Sequence, residues 1–327
     1  MQYQEFFENQ IKEWPLALKN YESQGNAIVK DCFFGEDGSR FRVRLVCLPE
    51  RIGSSSARIT AKGQVDRPCF LCAHRLPPEQ KSLPLDEDFS LLVNPFPVFP
   101  QHFTLPAVKH QYQRLRPYLR RLMRWTGMMD DMVLFYNGGR CGASAPDHLH
   151  FQAGNQGVMP MQCDFHQWKE SGSQPVFKNS QLEIRELRKM LRQGWVFEGN
   201  EPDTLSEALL CFLDAFEKGR NEEDFQADDH VNLLCWYEKG AEPLPFKAIL
   251  FPRAKHRPSC FFEEDESRRR VTSPASVEMG GYYILPRRED FERMQDEELV
   301  QIYKEVCLEP EMIRKISRKA LSNFTSK

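Results

Sequence analysis

Two histidines and a glutamine alternate with apolar residues in the run His148-Leu149-His150-Phe151-Gln152. Alternate side chains of a strand share one face, so we predict that His148, His150 and Gln152 point to one side of a sheet. Leu149 and Phe151 then point into the core. An imidazole beside an amide on one polar face is suited to nucleophilic attack on a phosphate.

A small-residue loop, Gly142-Ala143-Ser144, comes just before this strand. Attack on a phosphate requires donors to its oxygens, and we expect them from the backbone N–H groups of Gly142, Ala143 and Ser144 and from the Ser144 hydroxyl. Asn137 is expected to hold a ribose or phosphate oxygen. The alternative is that the two histidines are satisfied polar residues on a half-buried sheet. The glutamine and the small-residue loop favour the chemical interpretation.

The run His-Leu-His-Phe-Gln-Ala at 148–153 resembles the active-site strand of the histidine-triad superfamily, in the branch whose triad ends in glutamine. That branch includes galactose-1-phosphate uridylyltransferase, diadenosine tetraphosphate phosphorylase and GDP-L-galactose phosphorylase. The resemblance implies that His150 attacks the α-phosphorus of a nucleoside diphosphate sugar or dinucleoside polyphosphate and forms a nucleotidyl-His150 intermediate. Inorganic phosphate as acceptor makes the enzyme a phosphorylase, and a sugar 1-phosphate makes it a transferase.

Gln152 stands where the hydrolase members of this superfamily have a third histidine. An amide is neither an acid nor a base near neutral pH, so the resemblance favours transfer over hydrolysis. A second segment, 274–292, is similar to a part of GDP-L-galactose phosphorylase. Its Glu289-Asp290 pair is also ordinary charge placement at a helix start.

A basic turn is a further candidate for phosphate contact. Lys255 is followed by His256 and Arg257, and a solvated basic turn is the alternative interpretation. Arg58 and Lys62 are weaker candidates of the same kind.

Cys69 and Cys72 form a Cys-x-x-Cys pair with three interpretations: a redox motif, two structural thiols, or half of a zinc site. A polar, loop-like run precedes the pair, which disfavours the redox motif. Candidates for the missing zinc ligands are His74, His102, His110 and His148. The family resemblance implies Cys69, Cys72, His102 and His148. That zinc would be structural, because four protein ligands leave no position for water.

The whole chain has 327 residues, 41% hydrophobic and 28% charged, which is typical of a packed globular protein. The formal net charge of −3 gives no global signature of nucleic-acid binding. Neither a signal peptide nor a long apolar run is recognised, so we expect no membrane association. The ten cysteines include one closely spaced pair, and we expect a reducing, cytoplasmic setting. A monomer and a homodimer are both compatible with the sequence.

Hydrophobic periodicity sets the predicted elements that hold the site. Helices are predicted at 3–23, 111–126, 203–218, 288–307 and 309–322. Strands are predicted at 41–47, twice within 89–108, and at 131–136, 148–153, 230–237, 246–252 and 280–286, with an irregular loop at 154–180. Leu105–His110 and Phe251–His256 share Pro, Lys and His at the same offsets. We interpret this echo as a sign of duplication.

The sequence thus predicts an α+β fold of two duplicated histidine-triad-like halves, each an antiparallel sheet with packed helices. Residues 1–180 form the catalytic half, and 181–327 form a half without a His-x-His. The predicted activity is nucleotidyl transfer or phosphorolysis. The alternatives are a nucleotide hydrolase of the same fold, a non-catalytic nucleotide-binding regulator, and a zinc-stabilised interaction module.

Overall fold

A computed structural model describes residues 2–35, 40–49, 68–220 and 222–325 of the chain. Ten strands form one antiparallel sheet: β3 Ser82–Pro84, β4 Ser90–Val93, β5 His102–Pro106, β6 Met132–Asn137, β7 His150–Asn155, β8 Ser173–Lys178, β9 Leu182–Leu187, β10 Trp195–Gly199, β11 Val231–Tyr237 and β12 Phe246–Pro252. A second, smaller sheet contains β1 Ile28–Phe34, β2 Phe41–Cys47 and β13 Tyr282–Leu285. The mixture of antiparallel sheet and helices confirms the predicted α+β class.

The helices cover both faces of the large sheet. They are α1 Gln2–Glu13, α2 Pro15–Gln24, α3 Leu119–Met128, α4 Pro160–Cys163, α5 Phe165–Gly172, α6 Pro202–Arg220, α7 Ser276–Met279, α8 Arg288–Arg293, α9 Asp296–Val306 and α10 Pro310–Thr325. Four of them begin at a proline, whose fixed φ and missing N–H suit the first turn of a helix. Pro15 also explains why the predicted helix at 3–23 is two helices, because a proline cannot continue α1.

The large sheet repeats one topology. Its strand order is β3-β4-β5-β7-β6-β11-β12-β10-β9-β8. From one edge to the centre the strands are β3, β4, β5, β7 and β6, and from the other edge they are β8, β9, β10, β12 and β11. In both sets the first three strands follow the order of the chain, and the last two stand in reverse order. The two sets of five strands meet where β6 pairs with β11. This shared order supports the predicted duplication, and β12 is the counterpart of β7.

The echo between Leu105–His110 and Phe251–His256 is not explained by this duplication. The first segment follows β5 and the second follows β12, and these strands hold different places in the repeated order. The interpretation of the echo was therefore wrong. The boundary at 180 stays a prediction, because one continuous sheet joins the halves.

Two apolar cores lie on opposite faces of the large sheet. One packs α1, α3, α6 and α10 against the sheet and includes Leu149, Phe151 and Phe212. The other packs the small sheet, α8 and α9 against the opposite face and includes Phe99 and Phe135. The sheet residues of each core alternate along the strands, as a sheet buried on both sides requires.

Most predicted strands are confirmed, and the region 154–180 is the main error. It contains α4, α5 and β8 instead of an irregular loop. The strands β1, β3, β9 and β10 were also not predicted. No described helix is long and apolar enough to cross a membrane.

Gly154 provides a test of the packing behind the site. A Cβ at this position would lie 2.3 Å from the ring of Phe99, which is fully buried. We expect Gly154→Ala to lower the free energy of unfolding by about 1–3 kcal/mol through overpacking. Chemical denaturation measures the change.

Gly219→Ala is the matched control, because its added Cβ would meet only Ile316 at 3.8 Å on helix α6. We expect a change within about 1 kcal/mol, in the stabilising direction. Equal effects of the two substitutions would contradict the close packing of Phe99 on β7.

Candidate functional site

Strand β7 carries the predicted reactive residues. Leu149 and Phe151 lie in the core that α1, α3, α6 and α10 form with the sheet, as predicted. His150 and Gln152 point to the opposite face, also as predicted for alternate residues of a strand. The strand begins only at His150, and the side chain of His148 lies against Cys69 and Cys72 in the preceding turn.

His150 is held in one tautomer. Its side chain is buried, and its Nδ1 lies 2.8 Å from the carbonyl oxygen of His148. A carbonyl oxygen only accepts, so Nδ1 carries the proton and Nε2 keeps its lone pair. Nε2 is buried and has no hydrogen-bond partner among the residues that the structure describes. Burial lowers the pKa of His150 to about 4, against the opposing effect of the backbone hydrogen bond.

Gln113 holds the start of β7 against β6, and it was not predicted as a site residue. Its Oε1 accepts from the backbone N–H of His150 at 2.9 Å. Its Nε2 donates to the carbonyl oxygens of Asn137 and His150, each at 2.9 Å. The buried amide therefore takes the place of a direct ladder contact between the two strands. No spacing motif marks such a glutamine in a connecting segment.

Gln152 is oriented by His102. His102 Nδ1 accepts from the backbone N–H of Val98 at 3.3 Å, so its Nε2 donates to Gln152 Oε1 at 2.9 Å. The amide nitrogen of Gln152 is thereby turned away from His102. It is available as a donor on the face that carries His150.

Asn137 ends β6 beside His150. Its Oδ1 accepts from Asn232 Nδ2 at 2.9 Å and from the backbone N–H of Ser276 at 2.8 Å. Asn232 Oδ1 in turn accepts from Arg253 at 2.5 Å. Neither Asn232 nor Ser276 was predicted as a site residue. Both lie in the second half of the chain, which sequence spacing does not connect to Asn137.

The small-residue loop lies at the same sheet edge. Gly142 has φ +108°, and a Cβ there would lie 2.4 Å from the Cβ of Ala275, so only glycine fits. The N–H of Ala143 contacts the carbonyl oxygen of Gly138 at 3.3 Å. Ala143 is buried and Ser144 is exposed. Their predicted phosphate contacts stay predictions.

Lys255 lies on the surface, and the structure gives no contact between it and His150. Its ammonium group is 3.9 Å from Glu305, with 59% of the side chain exposed. The neighbouring His256 and Arg257 both reach the hydroxyl of Ser273, at 3.0 and 3.1 Å. Arg58 and Lys62 lie outside the described residues.

A candidate metal centre lies in front of β7. Ligand atoms of Cys69, Cys72, His110 and His148 all lie within 4.8 Å of one another. Cys69 Sγ is 3.2 Å from His148 Nδ1, and Cys72 Sγ is 3.2 Å from His110 Nδ1. Tetrahedral zinc with sulfur and nitrogen ligands places such atoms about 3.5 Å apart, so these residues fit zinc.

The surroundings of the cluster also fit a metal. His148 Nε2 donates to the carbonyl oxygen of Ala107 at 2.8 Å, which leaves Nδ1 for a metal. Burial raises the pKa of Cys69, but the hydrogen bond and charge of His148 outweigh it and lower that pKa to about 7. A thiol that ionises readily is what zinc binding requires.

His102 was the wrong fourth ligand. It contacts Gln152 across β5 and β7, and His110 completes the cluster instead. The reason is strand geometry: His102 pairs with Gly154, at the end of β7 remote from Cys69 and Cys72. His110 follows β5 at the edge where His148 lies.

Comparisons with known proteins support the fold. Residues 246–327 match the family described as GDPGP1-like, C-terminal domain, and residues 6–155 match a domain of unknown function, DUF4922. The crystal structure of yeast Ap4A phosphorylase Apa2 is similar with a TM-score of 0.56 and 13% identity, over 90% of this chain and 93% of that one. The chain therefore has the fold of this phosphorylase.

The AMP complex of the same yeast enzyme matches with a TM-score of 0.54 and 16% identity, over 91% of this chain and 96% of that one. A galt-like protein from Arabidopsis thaliana matches with 15% identity over 85% of this chain and 100% of that one, but its TM-score of 0.38 supports no argument. No curated protein matches the chain in sequence. The predicted resemblance is confirmed by the fold and by the C-terminal family match. The yeast neighbour is a phosphorylase, which is consistent with the predicted nucleotidyltransferase class.

The corrected ligand set predicts which variants lose zinc. We expect His110→Ala to lose most of the bound zinc, because a four-ligand site loses one quarter of its donors. His102→Ala should keep it, since His102 contacts Gln152 instead. Zinc content is measured by mass spectrometry of the purified, zinc-supplemented protein.

Cys163→Ser is the matched control for loss of a thiol, because Cys163 is exposed and outside the cluster. Cys69→Ser should lose zinc where Cys163→Ser does not. Zinc retained in His110→Ala and lost in His102→Ala would restore the original ligand set.

Proposed function

We propose that the chain is a nucleotidyltransferase of phosphorylase or sugar-1-phosphate type. It acts on a nucleoside diphosphate sugar or a dinucleoside polyphosphate through a nucleotidyl-His150 intermediate. The observation that carries the proposal is the buried Nε2 of His150, which has no hydrogen-bond partner within the described ranges. Its lone pair is fixed by the hydrogen bond from Nδ1 to the carbonyl oxygen of His148. A buried polar atom without a partner is costly unless a ligand uses it.

The reaction takes place in two displacements. Nε2 forms a bond to the α-phosphorus while the bond from that phosphorus to the bridging oxygen breaks, and the leaving phosphate takes the electron pair. In the second displacement, an oxygen of inorganic phosphate or of a sugar 1-phosphate attacks the same phosphorus, and the N–P bond breaks. The covalent intermediate divides one difficult transfer into two easier ones.

The surrounding residues supply what this intermediate requires. Nucleotidylated His150 becomes cationic, and the His148 carbonyl oxygen stabilises the proton on Nδ1. Gln152, with its oxygen held by His102, directs its amide nitrogen to a non-bridging oxygen. Asn137 directs its own amide nitrogen to the same group, since its oxygen is occupied. Such preorganised donors stabilise the charge of the transition state.

Zinc in this proposal is structural. Held by Cys69, Cys72, His110 and His148, it would fix the turn that carries the His148 carbonyl oxygen. It leaves no position for substrate. The nucleotide substrate is supported by the fold, since the yeast neighbour is an Ap4A phosphorylase. A cytoplasmic location, and a monomer or homodimer, complete the proposal.

The covalent step is tested by intact mass. The protein is incubated with ADP-, GDP- and UDP-sugars and with diadenosine tetraphosphate. We expect the wild type to gain one nucleoside monophosphate, and His150→Ala to gain none, because the nucleophile is gone. The size of the added mass identifies the base.

His166→Ala is the matched control, because it removes an imidazole that is 69% exposed and bound to Glu238. It should form the adduct as the wild type does. An adduct on His150→Ala, or none on the wild type with any of these substrates, would exclude His150 as their nucleophile.

The acceptor is tested separately. For the substrate that forms the adduct, we expect release of the nucleoside diphosphate to depend on added inorganic phosphate, because Gln152 cannot activate water. Product analysis with and without phosphate measures this. Release of the monophosphate at the same rate without phosphate would favour the hydrolase alternative.

A further inference from the structure

Arg253 is a buried cation behind the site. Its side chain is 1% exposed, and it has no ion-pair partner in the part of the chain that the structure describes. Its guanidinium donates to Asn232 Oδ1 at 2.5 Å and to carbonyl oxygens, among them those of Pro274 at 2.8 Å and Val306 at 3.1 Å. Burial of an unpaired charge is costly, and packing alone does not require it.

The direction of each hydrogen bond follows from what each group can do. A guanidinium only donates, so Asn232 presents its oxygen to Arg253. Its Nδ2 is then the donor to Asn137 Oδ1 at 2.9 Å and to the carbonyl oxygen of Cys141 at 2.8 Å. The N–H of Ser276 occupies the same oxygen of Asn137 at 2.8 Å. The amide nitrogen of Asn137 therefore points away from both of these donors, Asn232 Nδ2 and the Ser276 N–H.

That nitrogen points to the face that carries His150. Phe135 on β6 pairs with Gln152 on β7. Because the strands are antiparallel, Asn137, two residues after Phe135, lies opposite His150, two residues before Gln152. Gln113 bridges the carbonyl oxygens of Asn137 and His150. Side chains two residues apart on a strand share a face, so Asn137 and His150 lie on the same face, with the Gln113 amide joining their two backbones. Asn137 thus lies beside the nucleophile.

We propose that Arg253 and Asn232 are positioning residues, which together form a relay that fixes the Asn137 amide as a donor to the transferring phosphoryl group. The inference rests on the proposed function, because the phosphoryl group is the acceptor. The charge of Arg253 polarises Asn232, which strengthens its bond to Asn137. The second half of the chain thereby contributes to a site whose nucleophile lies in the first.

Asn232→Asp tests the relay at constant size. The carboxylate only accepts, so it keeps its contact with Arg253 but loses the donor to Asn137. We expect the rate of nucleotidyl-His150 formation, measured in a single turnover by quenched mass spectrometry, to fall about 10-fold, with substrate affinity less affected. This is smaller than the 10²–10³-fold effect typical of removing an oxyanion donor outright, about the scale expected for misorientation.

A double-mutant cycle separates positioning from general destabilisation. In an Asn137→Ala background, Asn232→Asp should change the rate by less than about 2-fold, because its target is gone. Asn20→Asp is the matched control: Asn20 is also buried and donates to a carbonyl oxygen, that of Pro95, at 2.7 Å. It should leave the rate unchanged. Equal effects of Asn232→Asp in both backgrounds would overturn the relay.

A readout without activity distinguishes failure of the relay from failure of the proposed function. The side-chain amide signals of Asn137 in a ¹H–¹⁵N NMR spectrum are assigned by their loss in Asn137→Asp. We expect them to shift in Asn232→Asp and to stay in place in Asn20→Asp. A wild type without an adduct would refute the proposed function alone, whereas unchanged Asn137 signals in Asn232→Asp would refute the relay.

Discussion

The hydrogen bond from His150 Nδ1 to the carbonyl oxygen of His148 sets the chemistry of the site. A neutral imidazole has one donor and one acceptor nitrogen, and this bond decides which is which. Because the acceptor is a backbone oxygen two residues earlier, the bond depends on the turn before β7. The candidate metal cluster holds that turn through His148, and Gln113 holds the strand that follows. The local order of both segments serves one nitrogen.

Much of this arrangement was predictable from local sequence. The alternation around His150 predicted the strand and its two faces, and Cys69 with Cys72 predicted half of the candidate metal cluster. The errors concerned contacts between residues that are distant in the sequence. His110 replaced His102 as a ligand because the two lie at opposite ends of β5, and periodicity does not show which end of a strand approaches a distant cysteine pair. Asn232 and Arg253 carry no motif at all, since their role arises from the pairing of β6 with β11.

The second half shows what becomes of the same strand order without the histidines. On β12, the counterpart of β7, Lys247 is buried and lies 2.5 Å from Glu198. On β9, which is separated from β12 by β10, Arg185 lies 2.6 Å from Glu183. The cations on these strands are paired with carboxylates, whereas the buried Nε2 of His150 has no hydrogen-bond partner in the described part of the chain. This difference explains why we expect the nucleotidyl transfer in only one of the two halves of the sheet.

The pairing of β6 with β11 has a consequence for how the protein can be made and divided. Those two strands are interior to a ten-stranded sheet, and the core formed with α1, α3, α6 and α10 contains residues of both halves. Separating the halves would expose two long apolar edges, which favour aggregation. The two sets of five strands therefore share one continuous sheet and one of its two cores, and we expect neither set to fold without the other.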